Sequence, residues 1–212
     1  MADGIVPSAP ESQPQPDRFW PYVAAFGALW GAAEITLGSF LHTLRMPFTG
    51  VLLASAGAAL LIAQRQALPR RGAALATGLV AALCKSMSPG GAILGPMLGI
   101  LAEAALVELA LLPAQRSVVT SLLAGALAAL WAVCQKFLMQ YLFYGGSVVD
   151  LYLSLLRQAT QVLGVPSDAG WTALGGLLAV IASVGGTAGV LGWRVGREGM
   201  RRLARSAPWG PS

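Results

Sequence analysis

The chain has 212 residues, of which 56% are hydrophobic and only 11% are charged, and its mean hydropathy is +0.66. Soluble domains carry about 25% charged residues. The composition therefore predicts an integral protein of the lipid bilayer, with no room for a separate soluble domain. The formal charge of +5 does not indicate nucleic-acid binding, because the basic residues form no stripe with interleaved aromatic residues.

Residues that enzyme and metal sites require are scarce in this sequence. His42 is the only histidine, and Cys84 and Cys134 are the only cysteines, which excludes a histidine-rich metal site and a disulfide framework. Neither a G-x-x-x-x-G-K-[ST] phosphate loop nor an H-E-x-x-H motif occurs. We therefore expect no catalytic set, no metal and no cofactor, and we expect that the chain cannot hydrolyse ATP by itself.

The chain divides into a polar segment, an apolar domain and a basic tail. Residues 1–17 are rich in Pro, Ser and Gln, are predicted to be disordered, and lack the charged-then-apolar order of a cleavable signal peptide. Residues 18–196 are predicted to form one all-α, polytopic membrane helical bundle, and residues 197–212 a basic cytoplasmic tail. A span needs about 20 apolar residues, and six candidates occur: 19–41, 47–63, a short 72–84, 92–112, 118–138 and 171–193.

The distribution of Lys and Arg predicts the orientation of these six spans, because basic residues favour the cytoplasmic side. Four basic residues fall on one side of the membrane: Arg45, Lys85, Lys136 and Arg157. Ten fall on the other: Arg18, Arg65, Arg70, Arg71, Arg116, Arg194, Arg197, Arg201, Arg202 and Arg205. We therefore expect both termini in the cytoplasm.

Apolar residues between Val148 and Leu163 recur at helical spacing, with polar residues such as Asp150, Arg157 and Gln161 on the other face. This pattern predicts an amphipathic helix of about 15 residues that lies on the membrane or over the bundle, on its outer side. Such a helix is either a simple interfacial connector or a lid over an outward-facing pocket.

The stretch from Lys85 to Glu103 is the most informative part of the sequence. Gly91, Gly95, Gly99 and Glu103 recur every four residues, a step that keeps side chains on nearly one helical face. The pattern predicts a bare glycine groove that leads to a carboxylate inside a membrane span. The groove is either a surface for helix packing with one buried acid, or a substrate site at a helix start.

Four ionisable residues inside the predicted spans need partners: Glu34, Lys85, Glu103 and Lys136. A charge at the bilayer centre costs about 2.5–3.5 kcal/mol on insertion scales. Two acids and two bases on four helices could neutralise one another across one cavity. One interpretation is a structural network of ion pairs that closes the bundle.

The other interpretation is a polar solute pocket in the outer half of the bundle. The turn that contains Ser88, Gly90 and Gly91 would lie at its rim, where backbone N–H groups at a helix start can face a polar or anionic ligand group. Glu108 lies deeper along the same span and is predicted to pair with Arg116 or with another subunit.

A resemblance to a known family rests on two features. The small residues Ala24, Ala28 and Ala32 recur in the first span, and a Pro-Gly-Gly turn precedes Gly95-Pro96. With six predicted spans and no ATPase motif, the chain resembles the substrate-binding (S) component of an energy-coupling factor (ECF) transporter. In that family, such alanines dock on the coupling subunit and such loops edge the vitamin pocket.

The resemblance implies a multi-pass protein of the cell membrane that binds a vitamin or similar micronutrient from outside. It also implies association with a membrane coupling subunit and two cytoplasmic ATPases, and no enzymatic activity. An alternative is a non-transport membrane scaffold or assembly protein, in which the intramembrane ion pairs are structural. A membrane enzyme with a carboxylate mechanism ranks last, because neither Glu34 nor Glu103 has a motif that assigns it a role.

Overall fold

The computed structural model describes residues 18–44, 48–87, 94–114, 117–144, 148–163 and 170–206. Within these residues it contains seven α-helices and no strand. The helices are α1 (Phe19–Thr43), α2 (Thr49–Ala67), α3 (Ala73–Ser86), α4 (Leu94–Leu111), α5 (Val118–Tyr144), α6 (Val148–Leu163) and α7 (Gly170–Ser206).

Five of these helices, α1, α2, α4, α5 and α7, are long and apolar enough to cross a membrane. This confirms the prediction of an all-α bundle with several membrane-spanning helices. The third predicted span is the exception, because α3 has only 14 residues. At a rise of 1.5 Å per residue it extends about 21 Å, which is less than the roughly 30 Å hydrocarbon core of a bilayer.

Helix α2 lies at the centre of the bundle and packs against α1, α3, α4, α5 and α7. Small side chains dominate the contacts around it: Ala58, Ala81, Ala104 and Ala128 are fully buried. Many leucines on the same helices are exposed instead. A soluble protein does not expose so much contiguous apolar surface, so this arrangement fits a bundle surrounded by lipid.

Helices α5 and α7 approach each other through glycine. An added Cβ on Gly185 would collide with the backbone oxygen of Gly125, and one on Gly189 would collide with the backbone oxygen of Ser121. Small residues allow helices to pack this closely in lipid. The four-residue repeat of Gly185 and Gly189 therefore forms a helix contact within the chain.

Two predicted boundaries differ from the structure. Helix α2 continues past Ala63 to Ala67, so Arg65 lies inside the helix and is fully buried rather than in a loop. Helix α7 continues through Ser206, so residues 197–206 of the predicted basic tail are helical. Residues 1–17 and 207–212 lie outside the described residues.

Helix α6 confirms the predicted amphipathic helix between α5 and α7. It packs against α7, and its Leu155 and Leu156 contact a buried apolar cluster that includes Val133 and Leu177. Arg157 is exposed. Both roles considered for this helix, connector and lid, stay open.

Candidate functional site

Helix α1 presents two different stripes of small residues. Added Cβ atoms on Gly27 and Gly31 would collide with Val80 and Cys84 of α3, so these glycines form the contact with that helix. Ala24, Ala28 and Ala32 are exposed on another face of α1. The alanine stripe is therefore accessible, as a docking surface requires, whereas the glycine stripe is used within the chain.

The face of α1 that points into the bundle carries Trp30 and Glu34, one helical turn apart. Only 1% of Trp30 and 8% of Glu34 is exposed. The indole of Trp30 fits against Gly57 of α2 and Gly78 of α3, where an added Cβ would lie 2.7 Å and 3.6 Å from its ring carbon atoms. The two glycines thus make room for a large side chain between three helices.

Lys85, at the end of α3, contacts Glu34 in two ways. Its Nζ atom lies 3.8 Å from Glu34 Oε2 and donates a hydrogen bond of 3.1 Å to the backbone oxygen of the same residue. Both side chains are mostly buried. The predicted pairing of an acid and a base from different helices is present between these two residues.

Glu103 of α4 lies on the other side of Gly57 and is 5% exposed. A Cβ atom added to Gly57 would lie 2.6 Å from Trp30 Nε1 and 2.7 Å from Glu103 Oε1. Trp30 Nε1 and Glu103 Oε1 are therefore no further apart than the sum of these two distances. No hydrogen bond joins these two atoms, although Trp30 also interacts with the Glu34 carboxyl group and the backbone of Ala58 with the Glu103 carboxyl group. One oxygen atom can bridge such a gap, since hydrogen bonds to oxygen are about 2.7–3.0 Å long.

We call Trp30, Glu34, Gly57, Lys85 and Glu103 the polar cluster. Among the described residues the cluster contains two carboxyl groups, which repel each other, and a single cation, Lys85. A buried polar atom without a partner costs about 1–3 kcal/mol. The cluster can therefore accept a group that takes the Trp30 N–H and bonds to Glu103, such as a hydroxyl or a water molecule.

The glycine groove of α4 is occupied by α5 where the structure describes it. The side chain of Gln135 lies directly over Gly99 and donates a hydrogen bond of 2.8 Å to the backbone oxygen of Gly95. Met139 approaches Gly95. At these two positions the groove serves helix packing, and Glu103 at its end is the residue that joins the polar cluster.

The other predicted site residues lie elsewhere. Lys136 is exposed on α5, and no ion pair or hydrogen bond described for this chain joins it to Glu34, Lys85 or Glu103. Of the four charges that were expected to lie together, the structure brings three into one cluster: Glu34, Lys85 and Glu103. Ser88, Gly90 and Gly91, the predicted pocket rim, lie outside the described residues, and their role stays a prediction.

A second buried polar group was not predicted as a unit. The Arg65 Nη2 atom lies 3.2 Å from Glu108 Oε1, and the backbone N–H groups of Gly72 and Ala74 donate to the two oxygens of Glu108 at 2.8 Å and 2.9 Å. Glu108 thus caps the start of α3, where a carboxylate stabilises the free N–H groups and the helix dipole.

The structure thus gives Glu108 a partner that was not predicted, Arg65. Arg116 lies outside the described residues, so a pair with Arg116 or with another subunit stays a prediction. Next to the Arg65–Glu108 pair, Gln64 donates a buried hydrogen bond of 2.7 Å to Thr77. The sequence signal that was missed is the continuation of the α2 pattern beyond Ala63. It places Gln64 and Arg65 inside the bundle.

No group of three or more His, Cys, Asp or Glu side chains able to hold a metal ion occurs in the described part of the chain. Comparison of the chain with protein-family models, with curated proteins and with solved structures gave no match in any of the three.

Proposed function

We propose that the chain is the substrate-binding component of an ECF-type uptake transporter and binds a small polar, vitamin-like solute in the outer half of its bundle. The observation that carries the proposal is the buried carboxyl group of Glu103 beside Trp30, with no hydrogen bond between Glu103 Oε1 and Trp30 Nε1. Ionisable side chains at membrane depth are costly and mark substrate paths. A solute that completes both hydrogen bonds would remove this cost.

In this proposal the chain crosses the membrane six times, with α3 as a short pass that packs against α1 and α4. The start of α1, the end of α2 and the start of α3 meet in one apolar cluster of Val23, Leu68 and Ala73. The last part of α7 joins the same end of the bundle, since Gly196 packs on Ala63. Consecutive helices therefore run in opposite directions at this end.

Most of the basic residues lie at or close to these helix ends, which supports a cytoplasmic location for this end of the bundle and for both termini. Glu34 and Lys85 are then at the opposite, outer end, within reach of a solute from outside. The exposed alanine stripe of α1 is the proposed docking surface for a membrane coupling subunit, which would bring the two cytoplasmic ATPases. The chain itself would supply a pocket and no chemistry.

A second candidate function is a membrane scaffold or assembly protein. It is favoured by the way α5 fills the α4 groove, with Gln135 over Gly99, and by the Arg65–Glu108 pair, which joins α2, α4 and the start of α3. Contacts of this kind close a bundle without leaving space for a solute. In this reading the Glu34–Lys85 pair is structural too.

Two experiments separate the candidates. Affinity purification from mild detergent is expected to recover a coupling subunit and ATPase subunits under the transport proposal, and other membrane complexes under the scaffold alternative. Equilibrium binding of a panel of labelled vitamins to the purified protein is expected to identify a ligand. If Glu103→Gln and Lys85→Met bind every solute as the wild type does, the assignment of the pocket to the polar cluster is wrong.

A further inference from the structure

Two surface grooves of this chain meet at one arginine, far from the polar cluster. The first is an apolar groove of about 600 Å³ between α5 and α7, with walls formed by Leu122, Ala126, Ala182, Gly186, Val190 and Arg194. The second is a smaller groove of about 310 Å³ around Trp193, Arg194, Arg197 and Arg201. Arg194 lines both, so the apolar groove ends where the basic groove begins.

The apolar groove has the dimensions of a lipid chain in one leaflet. From Ala182 to Arg194 it follows α7 for about 18 Å, and half of a typical hydrocarbon core is about 15 Å. The two hydroxyl groups along it are already used within α7, since Ser183 donates to Ala179 and Thr187 to Val184. The groove therefore presents a hydrocarbon surface up to Arg194.

The basic groove has the chemistry of a phosphate site. Arg197 lies over the ring of Trp193, with its guanidinium carbon 4.6 Å from the ring centroid, and tryptophan favours the depth of lipid headgroups. The carboxylate in the groove, Glu198, forms an ion pair of 3.2 Å with Arg202. The guanidinium groups of Arg194, Arg197 and Arg201 can therefore face an anion, and arginine suits phosphate because it can donate two parallel hydrogen bonds.

We propose that α5 and α7 form a binding site for one anionic phospholipid, whose acyl chain lies in the apolar groove and whose phosphate binds Arg194, Arg197 and Arg201. Neither groove alone selects this ligand. A zwitterionic lipid adds a cation beside its phosphate and would compensate the three arginines less well, and a free anion would leave the apolar groove without an occupant. The site is independent of the proposed solute pocket, because it lies on another pair of helices and at the arginine-rich end of α7.

The test is a lipid titration of the delipidated, full-length protein in detergent, with bound lipid counted by native mass spectrometry. Phosphatidylglycerol is expected to bind at least tenfold more tightly than phosphatidylcholine. Each arginine near a lipid headgroup contributes about a fivefold change in affinity, so Arg194→Gln/Arg197→Gln should weaken phosphatidylglycerol binding about 30-fold. The control, Arg71→Gln/Arg205→Gln, removes the same charge from two exposed arginines that line neither groove, and it should change binding less than threefold.

Two further arms test the acyl chain. Ala182→Leu fills the apolar groove and should weaken binding of phosphatidylglycerol at least fivefold, whereas Ala179→Leu, exposed on the same helix and not lining the groove, should leave it unchanged. If inorganic phosphate competes for the site as well as phosphatidylglycerol does, the site binds a free anion only, and the proposal is overturned. Equal affinity for phosphatidylcholine, or equal weakening by the two arginine double variants, would also overturn the proposal.

Discussion

Trp30 Nε1 and Glu103 Oε1 face the same small space above Gly57, and no hydrogen bond joins the two atoms. The two residues come from α1 and α4, which share few direct contacts. They approach each other across α2 because Gly57 has no side chain. The space can be tested by filling it, and the ion pair beside it can be tested by removing its charges one at a time.

Replacement of Gly57 by alanine is expected to lower the thermal midpoint of the protein in detergent, and to weaken binding of any solute that the polar cluster holds. In most helix interiors alanine is favoured over glycine by about 1 kcal/mol, but here the new Cβ would lie 2.6 Å from Trp30 Nε1. Gly175→Ala in α7 is the matched control, because an added Cβ there meets no atom within 4 Å. A midpoint for Gly57→Ala equal to that of Gly175→Ala would contradict the structure around Trp30.

Lys85→Met is expected to destabilise the protein more than Glu34→Gln. Without Lys85 the cluster keeps two carboxyl groups that repel each other. Without the Glu34 charge, the lysine keeps its hydrogen bond to the backbone oxygen of residue 34. Removal of one partner of a buried pair costs about 3–5 kcal/mol, and partial exposure of Lys85 should bring the loss toward the lower end of that range. Urea or detergent unfolding of both single variants and of the double variant measures the loss of stability in each. If the loss in the double variant equals the sum of the two single losses, the two residues are not coupled.

Glu108→Gln is expected to cost about 3–5 kcal/mol of stability, since it leaves Arg65 buried without its carboxylate. It also weakens the cap on α3. The equivalent change at Glu198, which pairs with Arg202 on an exposed helix surface, should cost less than about 0.5 kcal/mol. Thermal melting of the two variants under one condition gives the comparison, and equal losses would argue against the buried Arg65–Glu108 pair.

Gly185→Ala is expected to disrupt the packing of α5 on α7 and to reduce the yield of folded protein. Its Cβ would meet the backbone oxygen of Gly125, which cannot move aside without separating the helices. Its neighbour Gly186 provides the control, since a Cβ there would lie 3.4 Å from Leu122, an ordinary side-chain contact. Size-exclusion profiles of the two variants should differ clearly. A normal profile for Gly185→Ala would place the α5–α7 contact elsewhere.

The sequence predicted the long helices well because length and apolar composition determine them. The 25 residues of α1 and the amphipathic repeat of α6 both follow from local patterns. The expectation that Glu34, Lys85, Glu103 and Lys136 need partners also followed from a general rule for charges inside a membrane, but the rule did not say that Glu34 pairs with Lys85. What these rules cannot supply is the identity of neighbours between helices that are distant in the chain.

Arg65 and Lys136 illustrate that limit. Arg65 resembles a loop residue in the sequence, but the structure buries it against Glu108, because α2 continues for another turn beyond Ala63. Lys136 was expected to share one cavity with Glu34, Lys85 and Glu103, but its position on α5 turns it to the surface. The orientation of each helix about its own axis decides both cases, and that orientation depends on glycine contacts such as those of Gly27 and Gly99.

The most direct test of a solute site at the polar cluster is equilibrium binding of the same labelled vitamin panel to wild type, Glu103→Gln and Lys136→Met. Glu103→Gln keeps the shape of the side chain and removes its charge, and Lys136→Met removes a charge from the exposed face of α5. We expect at least a tenfold loss of affinity for Glu103→Gln and less than a twofold change for Lys136→Met. Unchanged binding by Glu103→Gln, with a loss in Lys136→Met, would contradict the account.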